Sequence, residues 1–305
     1  MKTLSTKNLL IAFAVLAIVC GIIYFFTGQK DTGNFNTTEI NLDANTIDQW
    51  IVTPQQKPAK AYRIFRDGGR WKIELPDKEV ADAGMDIIER SIHHFVNLKP
   101  ESLIATTKKE WHQYGVDTAG TLVQVFESRQ QKYAFIIGDI TFQNDKLATY
   151  YFRLQNEDNV YTVHNYLDGS IRATPDAFRK KDLLIATPDI LKSLSFNYVN
   201  EQPFTLENTG NTWQINGQNI DSARVNPYLR ALCKFRLTAF ATKPIGAPYY
   251  SIGVSSSKSK EVITLNVYKQ PAGKWTVTSS ANEGNYFTAD SATVMNYFPP
   301  KRIFQ

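Results

Sequence analysis

Residues 68–76 read GGRWKIELP, and residues 210–217 read GNTWQING. Each sets a tryptophan just past a turn, inside an alternating run. AYRIFRD precedes the first and PFTLEN the second, and both alternate apolar with polar at the strand period. Gly68-Gly69 and Thr209-Gly210-Asn211 are turn signals, so each stretch reads as a β-hairpin. Residues two apart share a strand face, so Trp71 points where Ile73 points and Trp213 where Ile215 points. A ligand platform has no reason to recur at matched positions, whereas a core plug does. Both indoles are therefore expected to be buried.

Working outward, the chain matches itself. Ile47 falls on Ile190, Ile51 on Leu194, Tyr62 on Phe204 and Ile64 on Leu206. After the hairpins, Met85, Ile88, Ile92 and Phe95 fall on Val225, Tyr228, Leu232 and Phe235, with Arg90 on Arg230. Then YGVD from Tyr114 answers IGVS from Ile252, LVQVFES answers ITLNVYK, KYAFIIG answers KWTVTSS, and VYTVHNY answers YFTADSA. The first copy carries an extra GDITFQNDKLATYYFRLQNE.

Met85, Ile88, Ile92 and Phe95 recur at helical spacing, with Asp82 as the expected N-cap. The second helix has two candidate starts, Asp221 or Asn226-Pro227. The predicted class is α+β: an N-terminal transmembrane helix, then two tandem units of antiparallel strands with one packed helix each. The expected segments are 1–27 (cytoplasmic tip and anchor), 28–45 (linker), 46–167 (first unit), 168–189 (Pro-punctuated connector) and 190–305 (second unit). The predicted core comprises Trp71, Ile73, Met85, Ile88, Ile92, Phe95, Trp213, Ile215, Leu232 and Phe235.

The anchor reading rests on LLIAFAVLAIVCGIIYFF, Leu9 to Phe26, which carries no charge. As a helix it spans roughly 27 Å, close to a bilayer core. Lys2 and Lys7 precede it and set the N-terminus in the cytoplasm, leaving the bulk extracytoplasmic, in the periplasm of a Gram-negative cell. The run passes Ala17 without a break, Phe25-Phe26-Thr27 is a poor cleavage site, and Val19 before Cys20 does not fit a lipoprotein box, so an uncleaved anchor is expected.

The formal charge is +5, with Lys2 and Lys7 contributing two, and no basic stripe follows; nucleic acid is not an expected partner. Two cysteines, Cys20 and Cys233, lie in different phases and form no framework. His93 and His94 are adjacent on one helix and cannot face one metal, and His112 and His164 stand alone. Ser255-Ser256-Ser257-Lys258 fits S-x-x-K but lies between strand-like runs without partner motifs. Asp139, Asp145, Glu157 and Asp158 fall in turns. No catalytic set, metal site or cofactor is expected. Tyr150-Tyr151 and Tyr249-Tyr250 each put one ring on either side of the chain, making Tyr150 and Tyr249 candidate interaction residues for stacking on glycan.

The run RWKIELP, VADAGMDIIERSIHHFVNL, YGVD, LVQVFES, FIIGD, TYYFRL and VYTV resembles the bacterial family catalogued as domain of unknown function 4340, well over 47–167 and weakly beyond. The resemblance implies a membrane-anchored, extracytoplasmic companion of ABC transport systems, including those like gliding-motility transporters, and carries over no functional residue. The expected function is thus a non-enzymatic accessory or interaction protein of the inner membrane. The alternatives are an envelope glycan-binding module and, third, a hydrolase.

Overall fold

In the computed structural model the GGRWKIELP stretch closes a hairpin between β2 (Tyr62–Asp67) and β3 (Arg70–Glu74), with Asp67 opposite Arg70 and Ile64 opposite Ile73. Gly68 and Gly69, at φ 55° and 83°, supply the left-handed turn that matches strand twist. The structure describes residues 40–54, 60–143, 147–164, 170–210 and 212–305. The expected anchor with Cys20, and most of the expected linker, lie outside these. Among the described residues no helix is long and apolar enough to cross a membrane.

The first sheet has nine strands. Besides β2 and β3 these are β1 (Ile47–Pro54), β4 (Val80–Asp82), β5 (Ser102–Ala105), β6 (Thr121–Glu127), β7 (Gln130–Gln143), β8 (Leu147–Leu154) and β9 (Val160–His164). Their order is β4-β3-β2-β1-β6-β7-β8-β9-β5. The second sheet contains β10 (Leu191–Tyr198), β11 (Phe204–Asn208), β12 (Trp213–Ile215), β13 (Gln218–Asn219), β14 (Tyr250–Ser256), β15 (Ile263–Lys269), β16 (Trp275–Ser279) and β17 (Asn282–Ala289). Its order, β13-β12-β11-β10-β14-β15-β16-β17, repeats the first without β5. All these pairings are antiparallel, and among the described residues four α-helices accompany them: α1 (Met85–Asn97), α2 (Pro175–Phe178), α3 (Ser222–Leu232) and α4 (Ser291–Tyr297). The class is α+β. One core runs from Ile40 to Phe178 and the other from Leu183 to Phe304, so the division falls inside the connector.

Ladder register corrects the self-match in two places. Trp50 pairs with Ile64 and Leu194 with Leu206, so Trp50, not Ile51, corresponds to Leu194. Both first strands also carry a bulge at the same place, between Ile47 and Gln49 and between Leu191 and Ser193. Beyond the helices the correspondence moves by one strand. LVQVFES lies in β6 beside β1, and its counterpart beside β10 is YSIGVSS in β14, not ITLNVYK. The stretch taken as an insertion contributes to β7 and β8, which answer β15 and β16. The last pair holds: Phe152 opposite Tyr161 answers Val277 opposite Phe287, which sets the turn NEDN (156–159) on NEGN (282–285).

Trp71 and Trp213 are 8% and 7% exposed. Ile73, Ile88, Phe95, Ile215, Leu232 and Phe235 are also buried. Ile92 is partly buried against the first core. Met85 is a correction at 50% exposed. It opens α1, and one turn in from a helix start the inward positions fall to Ile87 and Ile88. Asp82 is not the N-cap: it belongs to β4, and Gly84 stands at the cap without a side-chain bond. Asp221 caps α3, accepting from the Ala223 N–H at 2.8 Å, and Pro227 lies inside the helix. The second unit holds a further helix, α4, whose N-cap Asp290 accepts from the Thr293 N–H at 2.7 Å.

Candidate functional site

The two units meet where β4, the edge of the first sheet, lies against β17, the edge of the second. Asp82 is the hub. Its Oδ2 accepts the Glu283 backbone N–H at 2.9 Å, and its backbone carbonyl accepts the Asn285 side-chain amide at 2.9 Å. Its cross-strand neighbour Lys72 reaches Asp82 Oδ1 at 3.8 Å and Glu283 Oε2 at 3.0 Å. Asn285 Oδ1 accepts from Arg179 Nε at 2.8 Å, and that guanidinium lies over the Phe240 ring at 3.8 Å. Lys72, Asp82, Arg179 and Asn285 are all buried. Burial of charge at this density is tolerated only because each group has a counter-charge or hydrogen bond. The connector joins in: Asn282 Nδ2 donates to the carbonyls of Lys180 and Asp182, both at 3.0 Å.

Gly284 makes the approach possible. A Cβ there would sit 2.1 Å from the Val80 carbonyl oxygen. Beside this contact opens a cleft of about 370 Å³. Trp71 and Gly84 are among its lining residues, Arg70, Lys180, Arg236, Asp86 and Asp182 give the lining mixed charge, and Met85 and Ile185 are its exposed apolar members. Ile185 is 69% exposed. The Arg236–Asp182 pair at 3.6 Å spans part of the opening. Such an arrangement suits contact with another polypeptide: mixed charge for orientation and two open apolar side chains for burial.

Glu283 is held below the usual carboxylate range, first by the hydrogen bond from Lys72, then by the charges of Lys72 and Arg70. A carboxyl depressed in the folded state adds stability that is complete above its unfolded pKa and lost as pH falls through the folded value. Urea midpoints of the protein are therefore expected to drop as pH is lowered below about 4.3, the ordinary Glu value. Glu283→Gln should remove part of that slope; an identical slope in the variant would show that Glu283 contributes nothing to it.

The sequence-derived candidates stand elsewhere. Tyr150 is a correction: at 8% exposed it packs in the first core and presents no stacking ring. Alternation along β8 turns it inward, and Tyr151 on the other face packs on Tyr114 at 5.1 Å. Tyr249 is half-buried, with its hydroxyl accepting from Asn200 at 2.7 Å and its ring 4.8 Å from Tyr250 and 5.6 Å from Trp275. His112 contacts Asp117 and His164 contacts Thr149, each at 3.0 Å. Among the described residues no cluster of three metal-ligating side chains occurs. Ser255 and Ser256 end a strand, outside the helical start that S-x-x-K chemistry needs. Burial pushes the Cys233 thiol up to about 11.

YGVD and FIIGD prove to be one packing unit. The 3-10 segment Lys108–Tyr114 covers the outer face of β6 to β9, and a Cβ on Gly138 would lie 2.1 Å from the Tyr114 carbonyl oxygen. Arg153 is buried beneath it, donating to the carbonyls of Val116, Leu154 and Gln155 and stacking on Trp111 at 3.6 Å. The junction hub was missed because its partners lie some two hundred positions apart; the only local signal was the paired Asn, Glu and Asn of NEDN and NEGN.

These features define an α+β protein of two like-ordered antiparallel sheets docked edge to edge. Residues 71–250 match the family described as Domain of unknown function (DUF4340), and the chain belongs to that family. No curated protein and no solved structure matches it.

Proposed function

We propose that the chain is a single-pass, extracytoplasmic accessory protein of the bacterial inner membrane that works by protein contact, as a companion of an ABC-type transport system. The observation that carries this is the charge-free run from Leu9 to Phe26 behind Lys2 and Lys7, ahead of a folded body. The two units read as a tandem duplication, supported by their shared strand order and matched bulge. Met85 and Ile185 at the junction cleft are the contact surface. The full chain is expected to resist carbonate extraction and to co-purify with permease or ATPase subunits from solubilised membranes. Met85→Asp with Ile185→Asp should abolish that recovery without loss of folding. Recovery of no transport subunit by the unaltered protein, in a detergent that keeps such complexes intact, would sink the reading.

A second reading, binding of envelope glycan, is favoured by the Tyr249, Tyr250 and Trp275 cluster, which faces a polar rim containing Asn200. By register Tyr250 corresponds to Thr121 of the first unit, so the cluster belongs to one unit alone. Sedimentation with cell-wall glycan, lost in Tyr249→Ala, would support it.

A further inference from the structure

The first sheet carries a second cleft, on β1, β2 and the β6–β7 turn, across the β2–β3 hairpin from the junction cleft. It measures about 350 Å³ and is lined by Asp48, Gln49, Arg63, Phe65, Arg66 and Arg129, with Asp67 at its rim. That volume lies at the lower end for small-molecule sites. Three neighbouring strands build it. Asp48 is the extra residue of the β1 bulge, Arg66 is the penultimate residue of β2, and Arg129 sits in the two-residue turn between β6 and β7.

Asp48 and Arg129 are held in unusual states. A bulge re-aims a side chain, and here it leaves Asp48 Oδ1 buried with no hydrogen-bond partner among the described residues. The turn places Ser128 and Arg129 at φ 49° and 68°, where Asn-Gly is the unstrained choice. Arg63 is occupied, bonding Glu74 at 2.6 Å and Gln49 at 3.2 Å, and covers the Phe65 ring at 4.2 Å. Arg66 and Arg129 have no ion pair within 4 Å among the described residues. The second unit keeps the bulge but not the set: by register Lys192 stands for Asp48, Glu207 for Phe65, Asn208 for Arg66 and Lys258 for Arg129.

We propose that this cleft binds a small zwitterion, its oxyanion held by the Arg66 and Arg129 guanidiniums and its ammonium by Asp48 Oδ1. Guanidinium forks match phosphate or carboxylate oxygens, and an unmet buried carboxylate oxygen is met by a charged donor. An amino-alcohol phosphate, free or as a phospholipid headgroup, has this chemistry, and so does an amino acid.

The test is calorimetric titration of the full chain in detergent with phosphoethanolamine, β-alanine and inorganic phosphate, alongside flotation with phosphatidylethanolamine vesicles. Saturable binding of at least one zwitterion is expected, weakened tenfold or more by Asp48→Asn and by Arg66→Ala, with phosphate alone weaker and insensitive to Asp48→Asn. Arg129→Gly separates binding from folding, since glycine relaxes the turn: its melting temperature should hold or rise while affinity falls. Vesicle binding without soluble-ligand binding, lost in the same variants, also supports the site and assigns a lipid source. No saturable binding of any probe, or binding unchanged in Asp48→Asn and Arg129→Gly, overturns it.

Discussion

Gly284→Ala is expected to part the two units while leaving each sheet folded. Gly284 sits at φ 73°, and an added Cβ would fall 2.1 Å from the Val80 carbonyl oxygen and 2.7 Å from Ala81 Cα. Both obstacles are backbone, so no rotamer change relieves them. Strain at a left-handed position costs about 1–3 kcal/mol. Opening the edge-to-edge contact also breaks the Glu283–Asp82 and Asn285–Asp82 bonds and takes Glu283 from Lys72. Lys72 keeps buried Asp82 and loses only the mostly exposed Glu283, so the added cost is that of the lost hydrogen bonds, about 0.5–1.5 kcal/mol each. Calorimetry should show two transitions at lower temperature, and protease should cut the connector near Lys180 faster. A variant with unchanged melting and unchanged cleavage would mean the junction is not what joins the units.

Trp50→Ala should be the most damaging single change in the first unit, at about 3–5 kcal/mol. Trp50 is fully buried, with its ring 5.3 Å from Trp71, 5.4 Å from Phe95 and 6.1 Å from Phe178. It thus ties the first strand, the hairpin, α1 and the connector together. Among the described residues its indole Nε1 has no hydrogen-bond partner, so the ring acts through packing. Trp50→Phe should accordingly recover much of the loss, as read from urea midpoints followed by Trp fluorescence. Equal damage from Phe and Ala would point instead to an essential bond from that nitrogen.

The hairpins, the α+β class and most of the core were legible because burial there follows a period fixed by local geometry. Trp71 and Ile73, or Trp213 and Ile215, cannot change faces without moving the whole strand. The same period explains the errors. A strand alternating at two matches its neighbour as well as its true counterpart, so LVQVFES slid onto ITLNVYK and Ile51 took the place of Trp50. Met85 was misplaced because helical spacing shows a stripe but not where the stripe begins to touch the sheet. The hub at Asp82 was invisible for another reason: a carboxylate before an apolar helix looks like a cap, and its real partners come from the far end of the chain. The bulge at Asp48 leaves no mark in the self-match, because the second unit carries the same bulge at Lys192.

The fit of β4 onto the NEGN start of β17 has a consequence for assembly. It is a head-to-tail contact, a plug on one unit and a socket on the other, and repetition of such contacts between copies generates open filaments. The first unit's socket would be its NEDN turn. There Asp158 stands where Gly284 would be needed, and the turn is already occupied: Trp111 Nε1 donates to the Asp158 carbonyl at 2.9 Å, and Lys108 lies 3.7 Å from its carboxylate. With β5 paired along β9 and the segment from Lys108 to Tyr114 laid against Asp158, the first unit has already taken up internally the edge that β17 offers to β4.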